Sequence, residues 1–169
     1  SSWRYVERIS DMDHIYIFGS GHVGIKLSEI MKFLGFYITV IDNREKADTF
    51  ISNIYADEKI LSDYTNCEKL IPKKENSYVV ILTHGHKHDK DILKQLIEFP
   101  FKYLGMIGSR KKVKTTFEEL LHEGISQSNI NKVKAPIGIP ISSQTAEEIA
   151  ISIAAEIIKV KNSGDFITM

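Results

Sequence analysis

The stretch that most constrains the fold is a short apolar run that leads directly into a glycine-rich turn, His14-Ile15-Tyr16-Ile17-Phe18-Gly19-Ser20-Gly21-His22-Val23-Gly24. In a Gly-x-Gly-x-x-Gly pattern the first glycine allows a tight turn, the second lets the backbone approach a pyrophosphate, and the third lets a helix pack closely on the strand. The N-terminus of that helix offers free N–H groups to phosphate oxygens. The candidate cofactor-binding residues of this turn are Gly19, Ser20, Gly21, His22, Val23 and Gly24.

The residues that follow the turn support the same interpretation. Apolar residues recur there at helical spacing, and they are Val23, Leu27, Ile30, Met31 and Leu34. Gly35 is expected to end this helix, and residues 37–41 predict the next strand. That strand leads to Asp42, roughly 20 residues beyond the turn, where the dinucleotide fingerprint places an acid that binds a ribose hydroxyl. Asp42 favours NAD over NADP, whereas Arg44 could stack on adenine or pair with a phosphate.

Further apolar runs alternate strands with helices. Residues 78–82 and 103–107 predict two buried strands, and a last helix is expected from Thr145, capped reciprocally by Glu148, to about Lys161. Strands that are apolar almost throughout are typical of a parallel sheet covered on both faces. The sequence therefore predicts a doubly wound, mostly parallel, Rossmann-like α/β fold in a single domain. The predicted limits are a tail or linker remnant over 1–13, the domain over 14–161 and a second tail over 162–169.

Residues 43–74 have a weaker pattern, in which we predict a short helix near Ala47 and a brief strand within 50–54. Cys67, the single cysteine, lies in a polar stretch and is expected to be a surface thiol without a role. Because a lone cysteine cannot form an internal disulfide, the expected compartment is the reducing cytoplasm.

Charge and hydropathy exclude two classes of partner. The 22 basic and 22 acidic residues cancel, so we expect no nucleic acid and no anionic membrane as a partner. No apolar run approaches the length of a membrane span.

Two further strand ends carry polar side chains that are expected to line the same cleft as the glycine turn. Ligands of doubly wound folds bind beyond the carboxyl ends of the strands, and the segments 83–89 and 108–110 follow two predicted strands. A glycine turn that opens a helix, followed by a basic run, suits a phosphate or a carboxylate. The candidate binding residues in these two segments are Thr83, His84, His86, Gly108, Ser109 and Arg110.

The histidine-rich segment also permits a metal interpretation. His84, His86, His88 and Asp89 are an adequate ligand set for zinc, and their order is similar to the His-x-His-x-Asp-His run of metallo-β-lactamase-like hydrolases. The last two residues are reversed here, and the upstream turn indicates a nucleotide fold, so we favour a polar loop lining a cofactor cleft over a metal site. No Ser–His–Asp arrangement and no acid–base pair of carboxylates stands out, which favours a binding protein over an enzyme.

The last predicted helix is apolar on more than one side. Ile149, Ile153 and Ile157 form one stripe, whereas Ile151 and Ile158 lie apart from it. A helix with two apolar sides usually has two packing partners. The second partner is either another copy of the chain, which would make a homodimer, or the N-terminal tail.

Taken together, five separated motifs resemble the Rossmann-like domain of the xanthine dehydrogenase accessory proteins, the XdhC/CoxI family. The motifs are Ile17-Phe18-Gly19-Ser20-Gly21-His22-Val23-Gly24, Thr83-His84-Gly85-His86 with Asp89 and Asp91, Leu104-Gly105-Met106-Ile107-Gly108-Ser109-Arg110, Ala135-Pro136-Ile137-Gly138 and the helix from Thr145 to Ile157. The resemblance implies a protein that binds the molybdenum cofactor, protects it and passes it to xanthine dehydrogenase or a related molybdenum hydroxylase.

The residues fit this implied role, because molybdopterin carries a phosphate, and its nucleotide-extended forms a pyrophosphate, that helix N-termini could hold. Longer family members have a further N-terminal domain with a Gly-Gly-Gly-Cys motif, which this sequence lacks, so we expect a fragment or a short member, and Cys67 does not inherit that motif's role. An NAD(P)-dependent oxidoreductase or nucleotide sensor is the alternative function. A metal-dependent hydrolase that uses the histidine-rich segment is the third.

Overall fold

Five strands and six α-helices lie within residues 12–163, which are the residues that the computed structural model describes. The strands are β1 (His14–Phe18), β2 (Tyr37–Asp42), β3 (Glu58–Leu61), β4 (Ser77–Ile81) and β5 (Tyr103–Met106). The helices are α1 (His22–Phe33), α2 (Asp48–Ile51), α3 (His86–Leu96), α4 (Arg110–His122), α5 (Gln127–Ile130) and α6 (Ala146–Asn162), with 3₁₀ turns at Cys67–Leu70 and Lys74–Asn76.

The strands form one parallel sheet in the order β3-β2-β1-β4-β5. The chain runs outward from β1 to β3 and then returns to the other side of β1, so the strand order reverses between β1 and β4. Such a switch point leaves a crevice beyond the carboxyl ends of the two strands. The predicted fold class, a single doubly wound domain, is confirmed. The predicted tails at 1–13 and 162–169 lie outside the described residues, apart from 12, 13, 162 and 163.

Alternate residues of each strand face opposite sides of the sheet and build two apolar layers. Tyr16 and Phe18 of β1 pack in the layer covered by α3 and α4, whereas Ile15 and Ile17 pack in the layer covered by α1 and α6. This two-sided burial explains why the sequence of β1 is a nearly continuous apolar run. The cap of α6 is also as predicted, since Thr145 and Glu148 form a capping box. Within the described residues, no helix has both the length and the apolar character that a membrane crossing needs.

The weakly patterned region contains one confirmed prediction and one error. The short helix near Ala47 is α2, but the strand predicted within 50–54 is wrong. The third strand of the sheet is β3, which lies at the sheet edge and has a largely exposed sequence, Glu-Lys-Ile-Leu. An exposed edge strand lacks the apolar run that marks a buried one, so its position could not be found from periodicity.

The expectation for Cys67 is also wrong. Its side chain is completely buried, its backbone N–H donates to Gln95 Oε1 at 2.9 Å, and its thiol lies 3.2 Å from the carbonyl oxygen of Tyr64. Burial raises the pKa of the thiol to about 12. A thiol held protonated in the core is a small apolar packing residue and a poor nucleophile.

Candidate functional site

The glycine turn packs closely against the residues that follow β4. Gly19 has a φ of +109°, its N–H donates to the carbonyl oxygen of Ile41 at 2.8 Å, and the N–H of Leu82 donates to the carbonyl oxygen of Phe18 at 2.7 Å. A Cβ on Gly19 would lie 2.6 Å from the carbonyl carbon of Leu82 and 2.9 Å from Cα of Thr83. Only glycine fits a backbone of this conformation at this separation.

A cavity of about 320 Å³ opens beside the turn, at the switch point between β1 and β4. Its lining residues are Gly21, His22, Val23, Gly24, Leu82, Thr83, His84 and Ile107. The two strand ends approach closely here, because a Cβ on Gly21 would lie 3.1 Å from Cε1 of His84. The structure therefore brings the glycine turn and the start of the histidine-rich segment to one cavity, as the sequence predicted.

No side chain of the described residues caps the N-terminus of α1 at this cavity, where the N-cap residue is Gly21. The first N–H groups of a helix have no partner within the helix, and they attract anions when no side chain takes them up. Two imidazoles, His22 and His84, are the only titratable side chains among the residues that line the cavity. The cavity therefore has the chemistry of an anion-binding site and lacks a carboxylate for proton transfer.

Asp42 lies at the end of β2 but is already engaged by the protein. Its side chain is 1% exposed, and its Oδ2 accepts hydrogen bonds from both the N–H and the hydroxyl of Ser20 at 2.7 Å. Arg44 donates from its backbone N–H at 2.9 Å and from its guanidinium at 3.0 and 2.9 Å. Burial alone would raise the pKa of Asp42, but these donors outweigh it and lower the pKa to about 2. Asp42 therefore holds the glycine turn and Arg44 in place as a buried anion.

A second buried carboxylate, Asp89, joins the other two strand ends. Its Oδ1 accepts from the N–H and hydroxyl of Thr83 at 3.0 and 2.5 Å, and its Oδ2 accepts from Nζ of Lys112 at 3.1 Å. Burial raises the pKa of Asp89, although the donors from Thr83 and Lys112 oppose it. From the sequence, Asp89 was a possible metal ligand and part of a family motif, and Lys112 was one of the basic residues that follow Arg110. Asp89 and Lys112 lie 23 positions apart in the sequence, and no local pattern indicates an ion pair over that separation.

The histidine-rich segment does not assemble a metal site. His84 faces Gly21, Nδ1 of His86 lies 3.5 Å from the hydroxyl of Thr116, and the ring of His88 lies 5.4 Å from that of Tyr64. Over residues 12–163, no three His, Cys, Asp or Glu side chains come together in a way that could hold a metal ion. The candidate ligands of the metal-dependent hydrolase alternative are therefore not grouped around one point in the described part of the chain.

The third strand end is a helix start, as predicted, but only part of it faces the cavity. Ser109 caps α4, with its hydroxyl oxygen accepting from the N–H of Lys112 at 3.2 Å. Arg110 is exposed and lines an open groove along α4, whereas Ile107 lines the cavity at the glycine turn. Gly108 lies against the first turn of α4, since a Cβ on it would be 3.3 Å from Cδ of Lys112 and 3.5 Å from Cγ2 of Val113.

Replacing Lys112 with methionine is expected to destabilise the protein, because it leaves Asp89 buried without its cation. We expect a loss of about 2 kcal/mol in the free energy of unfolding at pH 7. Once Asp89 takes up a proton it no longer needs the cation of Lys112. The difference in unfolding free energy between the unmodified protein and Lys112→Met should therefore shrink as the pH falls. Urea unfolding at pH 7 and pH 4.5 measures this. The double variant with Asp89→Asn should recover part of the loss at pH 7, and equal losses at both pH values would contradict the assignment.

Comparison with known proteins places these features in one family. A sequence model described as the XdhC Rossmann domain matches residues 15–157. The uncharacterized protein YqeB of Escherichia coli strain K12 is 30% identical over 155 residues, and a probable xanthine dehydrogenase component of Bacillus subtilis strain 168 is 28% identical over 166 residues. These alignments cover 88% and 93% of this chain but 27% and 46% of the two relatives, so the chain spans less than half the length of either.

Solved structures agree with this comparison. The crystal structure of a xanthine dehydrogenase from Bacillus halodurans superposes with a TM-score of 0.76 at 28% identity, covering 94% of this chain and 45% of that one. The NAD(P)-binding domain of an exopolyphosphatase-related protein from Archaeoglobus fulgidus superposes with a TM-score of 0.53 at 18% identity, covering 88% and 98% of the two chains. The second likeness shows the fold alone.

Proposed function

The chain belongs to the XdhC family, whose Rossmann domain it carries, and from this premise we propose that it binds the molybdenum cofactor and delivers it to an enzyme of the xanthine dehydrogenase type. In this proposal the protein is a binding and accessory protein, and its partner is a molybdenum hydroxylase. The names of two similar proteins support the link, since one is a probable component of xanthine dehydrogenase and the other is a xanthine dehydrogenase of known structure.

The observation that carries the proposal is the cavity at the glycine turn. Its walls are backbone, two imidazoles, the side chain of Thr83 and apolar side chains, and they include the uncapped N-terminus of α1. These groups fit the phosphate of a pterin cofactor, because helix N–H groups favour an anion and no carboxylate in the lining repels one. When bound, the cofactor supplies the redox chemistry of its client enzyme. The chain itself contributes the phosphate site and the wall formed by His22 and His84.

An NAD(P)-dependent oxidoreductase or nucleotide sensor is the second candidate. It is favoured by the glycine turn and by the acid at the end of β2, and Asp42 would select NAD over NADP. The hydrogen bonds to Asp42 weigh against it, because a ribose diol would compete with Ser20 and Arg44 for the same carboxylate oxygens. The cytoplasm is the compartment in which either function would operate.

Titration of the purified protein with molybdenum cofactor, NAD and NADP distinguishes the two candidates. We expect micromolar binding of the cofactor and none of the nicotinamide nucleotides. His84→Ala should weaken cofactor binding about tenfold, because it removes a polar group from the cavity wall. His122→Ala, an exposed histidine at the far end of α4, is the matched control and should bind normally. Micromolar binding of NAD alone would overturn the leading proposal.

The homodimer expected from the sequence remains a proposal. On α6, Ala150, Ile153 and Ile157 are buried in the apolar layer shared with α1, whereas Ile151 and Ile158 are 52% and 37% exposed. Because these two isoleucines lie seven residues apart, they share one helical face that a second copy of the chain could cover. Sedimentation equilibrium showing only monomers would rule out the dimer.

A further inference from the structure

A second cavity, of about 600 Å³, lies at the opposite edge of the sheet from the glycine turn. His14, Tyr16, Tyr37 and Glu58 form its sheet wall, and the segment 70–77 forms the facing wall. The cavity is therefore at the amino ends of the strands, where neither the proposed function nor the family comparison places a ligand. Its volume and mainly apolar walls, with a few polar groups, are typical of small-molecule sites.

Three side chains of the sheet wall and the buried Thr39 behind them form a hydrogen-bonded network with a fixed direction. The hydroxyl of Thr39 lies 3.2 Å from Oε2 of Glu58, which as a carboxylate can only accept, so Thr39 donates to it. Nε2 of His14, 2.8 Å from the same hydroxyl oxygen, must then donate its proton to Thr39. Nδ1 of His14 is left as the acceptor for the hydroxyl of Tyr16 at 3.2 Å.

The ionisation of these groups agrees with that direction. Burial lowers the pKa of His14, although Glu58 and Asp57 oppose it, and this keeps the imidazole neutral at pH 7. Burial, with the negative charge of Glu58, raises the pKa of Tyr16 to about 12, so its hydroxyl remains a donor. The hydrogen-bonded network therefore ends at Glu58, which accepts, and the carboxylate keeps lone pairs for a further donor.

Packing of the sheet does not require this hydrogen-bonded network. The same strand presents Ile15 and Ile17 on its other face, where an apolar layer is sufficient. The rings of the network and of Tyr37 also form an aromatic wall. His14 stacks on Tyr16 with 4.0 Å between ring centroids, and Tyr37 meets His14 edge-on with 4.8 Å between centroids. Tyr37 is 37% exposed, so part of its ring remains accessible.

We propose that this cavity binds a planar nitrogen heterocycle of purine or pterin size, whose ring packs on Tyr37 and whose adjacent ring N–H and exocyclic amine donate to Glu58. A carboxylate pairs best with two donors that lie side by side, which a 2-amino-4-oxopyrimidine ring offers. Guanine and pterins share this edge. The site is independent of the cofactor cavity, because it uses the other end of the strands and none of the same residues.

Calorimetric titrations with guanosine and with neopterin test the proposal and distinguish the two sources of this edge. We expect at least one to bind with a micromolar dissociation constant, and inosine, which lacks the 2-amino group, to bind at least tenfold more weakly than guanosine if guanosine is the ligand. Glu58→Gln should weaken binding at least tenfold, because the amide replaces one acceptor oxygen with a donor. Glu58 is exposed, so this variant is expected to fold, which its thermal melting curve verifies.

Two controls separate this site from the cofactor cavity. Glu118→Gln removes an exposed carboxylate on α4, and His84→Ala alters the cofactor cavity; both should leave heterocycle binding unchanged. If neither guanosine nor neopterin binds at millimolar concentration, or if Glu58→Gln binds as tightly as the unmodified protein, the proposal is wrong. Weaker binding in His84→Ala, with Glu58→Gln unaffected, would place the heterocycle at the glycine turn instead.

Discussion

Replacing Gly19 with alanine is expected to lower the free energy of unfolding by about 3 to 5 kcal/mol, which is enough to unfold many proteins of this size. The φ of +109° at this position strains any residue with a Cβ. The new Cβ would also lie 2.6 Å from the carbonyl carbon of Leu82, closer than real Cβ contacts, and closer still to its oxygen. Urea unfolding followed by circular dichroism measures the loss.

The clash cannot be relieved by a small backbone shift. The N–H of Gly19 is hydrogen-bonded to Ile41 and that of Leu82 to Phe18, so separating the turn from β4 breaks the sheet at its switch point. Gly124→Ala is the matched control, since Gly124 also has a positive φ, +92°, but nothing lies within 4 Å of the position its Cβ would take. We expect that variant to lose about 1 kcal/mol. Equal losses in the two variants would mean that the approach to Leu82 does not matter.

Replacing Asp42 with asparagine is the second change with a large expected effect. The amide keeps the shape of the side chain but removes the charge that faces Arg44, and it turns an N–H₂ group toward donors from Ser20 or Arg44. A buried cation–anion contact broken on one side typically costs about 3 kcal/mol or more, although the partial exposure of Arg44 places this variant at the lower end. Under the proposed function, cofactor affinity should fall as well, because Asp42 holds Ser20 in the turn.

The pH dependence of stability identifies the source of that loss. The folded pKa of Asp42, about 2, is below its ordinary value of 3.8, so the folded state binds this proton less readily than the unfolded state does. The resulting contribution, about 2 kcal/mol, is complete above about pH 4 and disappears as the pH falls toward 2. The difference in unfolding free energy between the unmodified protein and Asp42→Asn should therefore shrink over that interval. A constant difference from pH 7 to pH 2, or a similar loss in Glu118→Gln, would show that the charge of Asp42 is not responsible.

Much of the fold was predictable because its signals are local. The apolar run of β1, the glycines that follow it and the capping box of α6 each lie within a few consecutive residues, and their backbone consequences follow from sterics and hydrogen bonding alone. Periodicity also separated strands from helices wherever an element is buried. Periodicity failed at β3 and local polarity misled at Cys67, because an exposed edge strand and a buried thiol in a polar stretch both depend on what packs around them.

The sequence by itself determined the doubly wound fold, the glycine turn at the head of α1 and the placement of three polar strand ends at one edge of the sheet. Only the tertiary structure decided how those polar groups are used. In the structure Asp42 is hydrogen-bonded to Ser20 and Arg44, and Asp89 forms an ion pair with Lys112. The three histidines of the histidine-rich segment each contact a different neighbour. The physical reason is that periodicity tells which face of an element a side chain occupies, whereas hydrogen bonds and ion pairs depend on distances of about 3 Å between residues far apart in the chain.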